Sequence, residues 1–134
     1  MQIKEDKTQL YKIYDEIFDN IGFLFKFNVR KFIMGCFYTN GCPVSSMQIW
    51  IQPGDKDELR TLNSYLRNCD VLTIELRNKC ERLHDFCKSY GDDWNSMTFI
   101  AKENLEYEFN YGYEPIKMID KLFLLNWKGN YFYN

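Results

Sequence analysis

Histidine occurs once in this sequence, at His84. A single imidazole cannot complete a His-rich ligand set, and no tight Cys/His cluster stands in for one, so no metal site is expected. Cysteine is present without organisation. Cys36, Cys42, Cys69, Cys80 and Cys87 are odd in number and contain no CxxC pair. In a chain with no signal peptide, such residues read as reduced thiols acting as small apolar side chains. Long apolar runs are missing too. The longest, Phe32 to Tyr38, has seven residues, against the roughly 20 that a bilayer-spanning helix needs. The N-terminal stretch MQIKEDKTQ lacks the apolar centre of a secretory signal, so the expected location is cytoplasmic with no membrane contact. A basic excess is absent: the net charge is −2, which argues against a general nucleic-acid binder. No GxGxxG, P-loop, HExxH or GxSxG occurs. The expectation is therefore a non-enzyme with no catalytic residues and no cofactor.

What remains is a strongly aromatic chain. Its 134 residues fit one domain, 1–134, with one core. Apolar residues make up 46% and aromatic ones 18%, too many for a disordered segment.

Helical spacing of Leu10, Ile13, Tyr14, Ile17 and Ile21 predicts a first helix over 7–21. Asp6 with Gln9 suggests a capping box, and Gly22 a stop. Residues 29–38 read as a strand whose later part is apolar on both faces, hence central. Asn40-Gly41 is a hairpin signal. Residues 46–52 alternate, with Met47, Ile49 and Ile51 opposite Gln48, Trp50 and Gln52. Trp50 on that polar face is either a contact anchor or a residue packed beneath a loop. Residues 58–66 fit an edge strand or a short helix. A second helix over 71–90 follows from the stripe Leu72, Leu76, Cys80, Leu83, Cys87 and Tyr90, with Asp70 as its N-cap and Gly91 as its stop. Pro115 is placed in the first turn of a third helix that ends near Trp127-Lys128-Gly129, ahead of an aromatic tail at 131–133. The order is α-β-β-(β)-α-β-β-α. The fold class is α+β, with an antiparallel sheet of about four to five strands packed against helices.

The most informative stretch is Trp94 to Tyr113. Leu105, Tyr107, Phe109, Tyr111 and Tyr113 alternate with Glu106, Glu108 and Asn110, the period of a strand with one buried and one wet face. Met97, Phe99 and Ala101 mark its partner strand. Lys102-Glu103-Asn104 supplies the turn, with Asn104 suited to a left-handed position. Between residues 90 and 114 the acids are Asp92, Asp93, Glu103, Glu106, Glu108 and Glu114, against Lys102 alone. Negative charge is thus concentrated here, and the rest of the chain is net positive. Such a face either keeps a sheet soluble or docks a basic partner. Glu106 and Glu108 lie about 7 Å apart along a strand, a spacing open to acid/base work but unsupported by any pocket signal.

Four stretches carry a resemblance to a known family. LYKIYDEI (10–17), LRNKCERLHDFCKSYGDDWNSMTF (76–99), LEYEFNYGY (105–113) and NWKGNYF (126–132) resemble, in that order, the first helix, second helix with its acidic loop, acidic-aromatic strand and terminal segment of YezG-like bacterial antitoxin and immunity proteins. The resemblance implies a protein that binds one toxin domain one to one and occludes its active site. It further implies a secreted nuclease as that toxin, encoded by a neighbouring gene. The positions implicated are Asp92, Asp93, Trp94, Glu106, Glu108 and Tyr111, with Glu103 and Trp50 added from the residue pattern. The alternative is a cytoplasmic binding module, for single-stranded nucleic acid or within a larger assembly.

Overall fold

A computed structural model describes residues 7–40, 42 and 44–133. Helix α1 (Lys7–Ile21) leads through a 3-10 turn (Gly22–Phe27) into β1 (Val29–Phe37) and β2 (Ser46–Pro53). A two-residue strand β3 (Arg60–Thr61) runs directly into the helical turn α2 (Leu62–Tyr65). Then come α3 (Asp70–Ser89), β4 (Ser96–Lys102), β5 (Tyr107–Gly112) and α4 (Lys121–Tyr131). The five strands form one sheet in the order β3-β2-β1-β4-β5, and every pair of neighbours is antiparallel. The fold is α+β, as the sequence pattern predicts. Residues 58–66 satisfy both of their readings, strand first and helix second.

Strand alternation sorts the core into two parts. Phe32, Met34 and Cys36 of β1 join Ile51 of β2 and Met97, Phe99 and Ala101 of β4 beneath α1 and α3. Ile33 and Phe37 of β1 and Ile100 of β4 point the other way and are covered by Ile116 and Trp127. The second face of the sheet is therefore not wholly wet, as expected for a single helical layer. Helix α4 and Phe132 close over its centre. The cause lies in β1, which is buried on both sides and cannot face water on either.

Trp127 reaches the sheet through a gap left by Gly35. A Cβ at Gly35 would sit 2.5 Å from the Phe37 ring and 2.6 Å from the Trp127 indole. Glycine inside a central strand is unfavourable in itself and marks such a close approach. The indole N–H of Trp127 donates to Thr98 Oγ1 at 2.9 Å, so the buried polar edge is satisfied.

Several helix ends differ from their sequence expectations. Helix α1 does end at Ile21, but Gly22 continues as a 3-10 turn and the left-handed exit falls at Asn28, φ 63°. The Asp6 half of the expected capping box, and Gly41 of the Asn40-Gly41 turn, lie outside the described residues. Asp70 is the first residue within α3, not its N-cap, and favours the helix by its charge near the N-terminus. Gly91 does stop α3, at φ 84°. Its N–H bonds to Lys88 O and that of Asp92 to Cys87 O, at 2.9 and 3.0 Å, which is a Schellman closure. Pro115 lies outside α4. The segment before that helix is held instead by a bridge from Ile116 to Thr39, and Asp120 caps the helix by accepting from the Phe123 N–H. Gly129 does not end α4, which runs on to Tyr131.

Substitution Gly35→Ala is expected to cost about 1–3 kcal/mol, by forcing the added methyl into the Trp127 and Phe37 rings. Trp127→Ala is expected to cost about 3–5 kcal/mol. Urea denaturation of both single variants and the double variant checks this. In the double variant the glycine penalty should fall but not vanish, because the Trp127 ring is gone while the Phe37 ring still lies 2.5 Å from the added methyl.

Candidate functional site

The β4–β5 hairpin divides the residues singled out by the sequence into two groups. Its inner face is aromatic and packs on α1. Tyr14 stacks on Phe109 with ring centroids 3.9 Å apart, and Phe18 stacks on Tyr107 at 5.1 Å. The Tyr107 hydroxyl donates to Asp15 at 2.8 Å, and the Tyr14 and Tyr111 hydroxyls are bonded to each other. These contacts fix β5 against α1 along its length.

Trp94 is fully buried. It lies edge-on to His84 at 4.6 Å and beside Tyr111 at 5.6 Å. The Cys87 thiol is pushed up to about 11 by burial, a rise moderated by the Trp94 indole N–H beside it. Asp92 is buried and accepts a hydrogen bond of 2.6 Å from the Tyr113 hydroxyl. Trp94, Asp92 and Tyr111 are therefore framework, not free contact residues. Trp50 is half-buried under the C-terminal segment, with Phe132 at 5.3 Å and the Lys128 ammonium 4.1 Å from its ring centre. Of the two readings of Trp50, packing is the one the geometry favours.

Glu103, Glu106, Glu108 and Asp93 are exposed. The three glutamates occupy one corner of the sheet, beyond the cover of α4. Asp93 stands apart, 3.4 Å from His84 Nε2. That nitrogen also lies 3.0 Å from the Trp94 carbonyl, an acceptor, so Nε2 carries the proton in this geometry. His84 is further stacked on Tyr38 at 4.0 Å. Its ring is thus held on one face by Tyr38 and at its side by Trp94. Cys42, the exposed thiol among the described cysteines, lines the same polar cleft as His84, Glu81, Asp85 and Asp93. Among the described residues, no group of three or more His, Cys, Asp or Glu side chains is placed to hold a metal.

The glutamate corner contains a residue that sequence reading passed over. Lys31 is buried on the same face, with Lys102 opposite it on β4 and Gln52 on β2. Burial lowers its pKa, the neighbouring Lys102 lowers it further, and Glu108 holds it up. The acidic corner therefore rests on two cations. The signal was available: Lys31 shares its parity in β1 with Ile33, Gly35 and Phe37, and so had to lie on their face.

The hairpin loop also differs in detail. Asn104 is not the left-handed residue. It accepts the Glu106 N–H on its side-chain oxygen at 3.1 Å, while Leu105 takes φ 68°. Leu105 is consequently exposed and does not join the aromatic row. No helix among the described residues is long and apolar enough to cross a membrane. No family model matches this sequence, and no curated protein matches it.

The buried phenols and thiol give a pH dependence of known sign. Burial is the largest cause in each case, and it pushes Tyr14 up to about 12, Tyr107 up to about 12 and Cys87 up to about 11. Tyr111 and Tyr38 are raised further. A group whose folded pKa exceeds its unfolded one binds its proton more tightly when folded. Its contribution is complete below the unfolded value and is lost as pH rises through the folded one. Through these phenols and this thiol, stability should be level up to the ordinary thiol value of 9.0. It should fall steadily from there through about pH 12, read as a dropping urea midpoint. Tyr14→Phe should flatten part of that fall.

Proposed function

We propose that this chain is an immunity protein, which binds a toxin domain one to one and blocks it without chemistry of its own. The observation that supports this reading is the separation of roles in the hairpin. The aromatic residues of β5 are engaged by α1, while Glu103, Glu106 and Glu108 stand exposed at a corner of the sheet. A toxin acting on nucleic acid must present a basic surface to its polyanionic substrate. A fixed cluster of carboxylates is complementary to such a surface, steers the encounter, and competes for the substrate path. Lys31 and Lys102 lie behind the cluster on the same face of the sheet. Exposed Leu105 and Tyr113, 64% and 51% accessible, flank the hairpin and supply apolar contact. Action in the cytoplasm and a toxin gene next to this one belong to the same proposal. The single-stranded nucleic-acid alternative is disfavoured, because the row of rings it would use for base stacking is turned into the fold.

The direct test is growth. The toxin domain encoded by the neighbouring gene is expressed in a bacterial host with and without this chain. Arrest alone, rescue together and a complex that survives purification support the proposal. With that pair in hand, the double substitution Glu106→Lys and Glu108→Lys should slow association by about tenfold or more at low salt and reduce its salt dependence. Unchanged association kinetics would remove the glutamate corner from the interface.

A further inference from the structure

We infer that the open edge of β5 takes up an extended segment of the partner as a sixth strand, and that this segment carries basic side chains on the face of Glu106 and Glu108. The inference rests on the binding reading above and names how the contact is made.

The two edges of the sheet differ. At one, β3 is only Arg60–Thr61 and turns at once into α2. At the other, β5 runs from Tyr107 to Gly112 and pairs with β4 alone. The phase of this ladder is set where Lys102 N–H bonds to Glu106 O at 2.9 Å. Opposed residues in an antiparallel pair alternate between bonded and non-bonded pairs. Glu106, Glu108 and Asn110 therefore direct their backbone groups at β4. Tyr107, Phe109 and Tyr111 direct theirs away from the sheet. Those three N–H and three C=O groups form a row of roughly 7 Å repeat and have no hydrogen-bond partner among the described residues.

An uncovered edge of this length is a template for pairing, and proteins usually blunt it with lysine, proline, a bulge or a covering element. The strand YEFNYG contains no lysine and no proline, and its ladder with β4 is regular from Ala101 to Ser96. Among the described residues its only guard is charge, and that guard is selective. Pairing of β5 with β5 of a second copy about a two-fold axis gathers both sets of Glu106 and Glu108 on one face, within about 10 Å of each other, where like charges destabilise the pair. A strand with Lys or Arg at every second position meets the glutamates and extends the alternation inward, from cation to Glu106 to Lys102. Its intervening residues meet the half-buried rims of Tyr107 and Phe109 and are best apolar. The segment so defined is extended, with alternating basic and apolar residues.

The probe is a labelled nine-residue peptide of alternating Lys and Val with blocked ends, titrated against the intact chain by fluorescence anisotropy and followed by amide hydrogen exchange. In antiparallel addition, the residue opposite Tyr107 shares its face and bonds to it, so the Val amides face β5 and the Lys amides face away. Binding should protect the Tyr107, Phe109 and Tyr111 amides. N-methylation of the Val residues should abolish binding, and N-methylation of the Lys residues should leave it largely intact. The exposed-site double variant Glu106→Lys, Glu108→Lys, folded by circular dichroism, should bind about tenfold more weakly or worse.

Binding that tolerates methylated Val and leaves those amides exchanging would overturn strand addition while keeping the glutamate corner as a charge contact. No binding by either the parent peptide or its Lys-methylated form would also overturn strand addition. Neither result touches the growth test, which decides the immunity reading separately. Failed rescue together with protected edge amides would instead leave the edge as a strand-binding site and remove its toxin.

Discussion

A strand that is apolar on both faces needs cover on both, and β1 imposes that demand on everything around it. Phe32, Met34 and Cys36 draw α1 and α3 onto one side of the sheet. Ile33 and Phe37 draw α4 onto the other. Gly35 decides how close α4 can come, since the Trp127 ring occupies the space a side chain would fill. One short helix cannot cover a five-stranded sheet, so its cover stops short of the corner where β4 meets β5. The place where Glu106 and Glu108 remain in water is a consequence of how little of the second face α4 can reach.

The same geometry separates what the hairpin shows to solvent from what it keeps. Alternation puts Tyr107, Phe109 and Tyr111 against α1, and there they form stacks and hydroxyl bonds that hold the strand rigid. A partner meeting the glutamates then meets charges on a fixed frame, with little ordering left to do at the moment of binding. Lys31 matters for a related reason. A buried cation unpaired with any anion would be costly. The glutamates are thus tied to the fold by their neighbours as well as open to solvent, and the surface they form is of mixed sign one layer down.

Wherever periodicity was long and regular, the fold was legible in the sequence. The stripes of α1 and α3 and the alternation of β2 and β5 gave these elements to within a residue or two, because burial on one face leaves its period in the chain. The termini were less legible. Asp70 reads as a cap, yet the chain turns one residue earlier, at Cys69. Pro115 reads as a helix start, yet a bridge to Thr39 holds that segment extended for several residues more. These are tertiary effects with no local signature. Of the candidate site, the charged half was legible from parity alone. Trp94 and Asp92 were not, because an acidic loop ending in tryptophan looks like a surface feature until His84 and Tyr38 are seen to close over the ring.

What distinguishes the β5 edge from an ordinary sheet border is that two independent features coincide on it. The outward backbone groups of Tyr107, Phe109 and Tyr111 are unpaired among the described residues, and the charged side chains that flank them carry one sign. Each alone has a common explanation: a small sheet must end somewhere, and an outer face is usually charged. Together they constrain each other. Were the glutamates present only for solubility, lysines would serve an exposed edge as well, and lysine is the more usual guard. Were the edge merely unfinished, nothing would restrict what pairs with it. Negative charge beside free donors and acceptors repels a second copy of this chain and admits a basic strand, and that selectivity is a property of recognition more than of solubility.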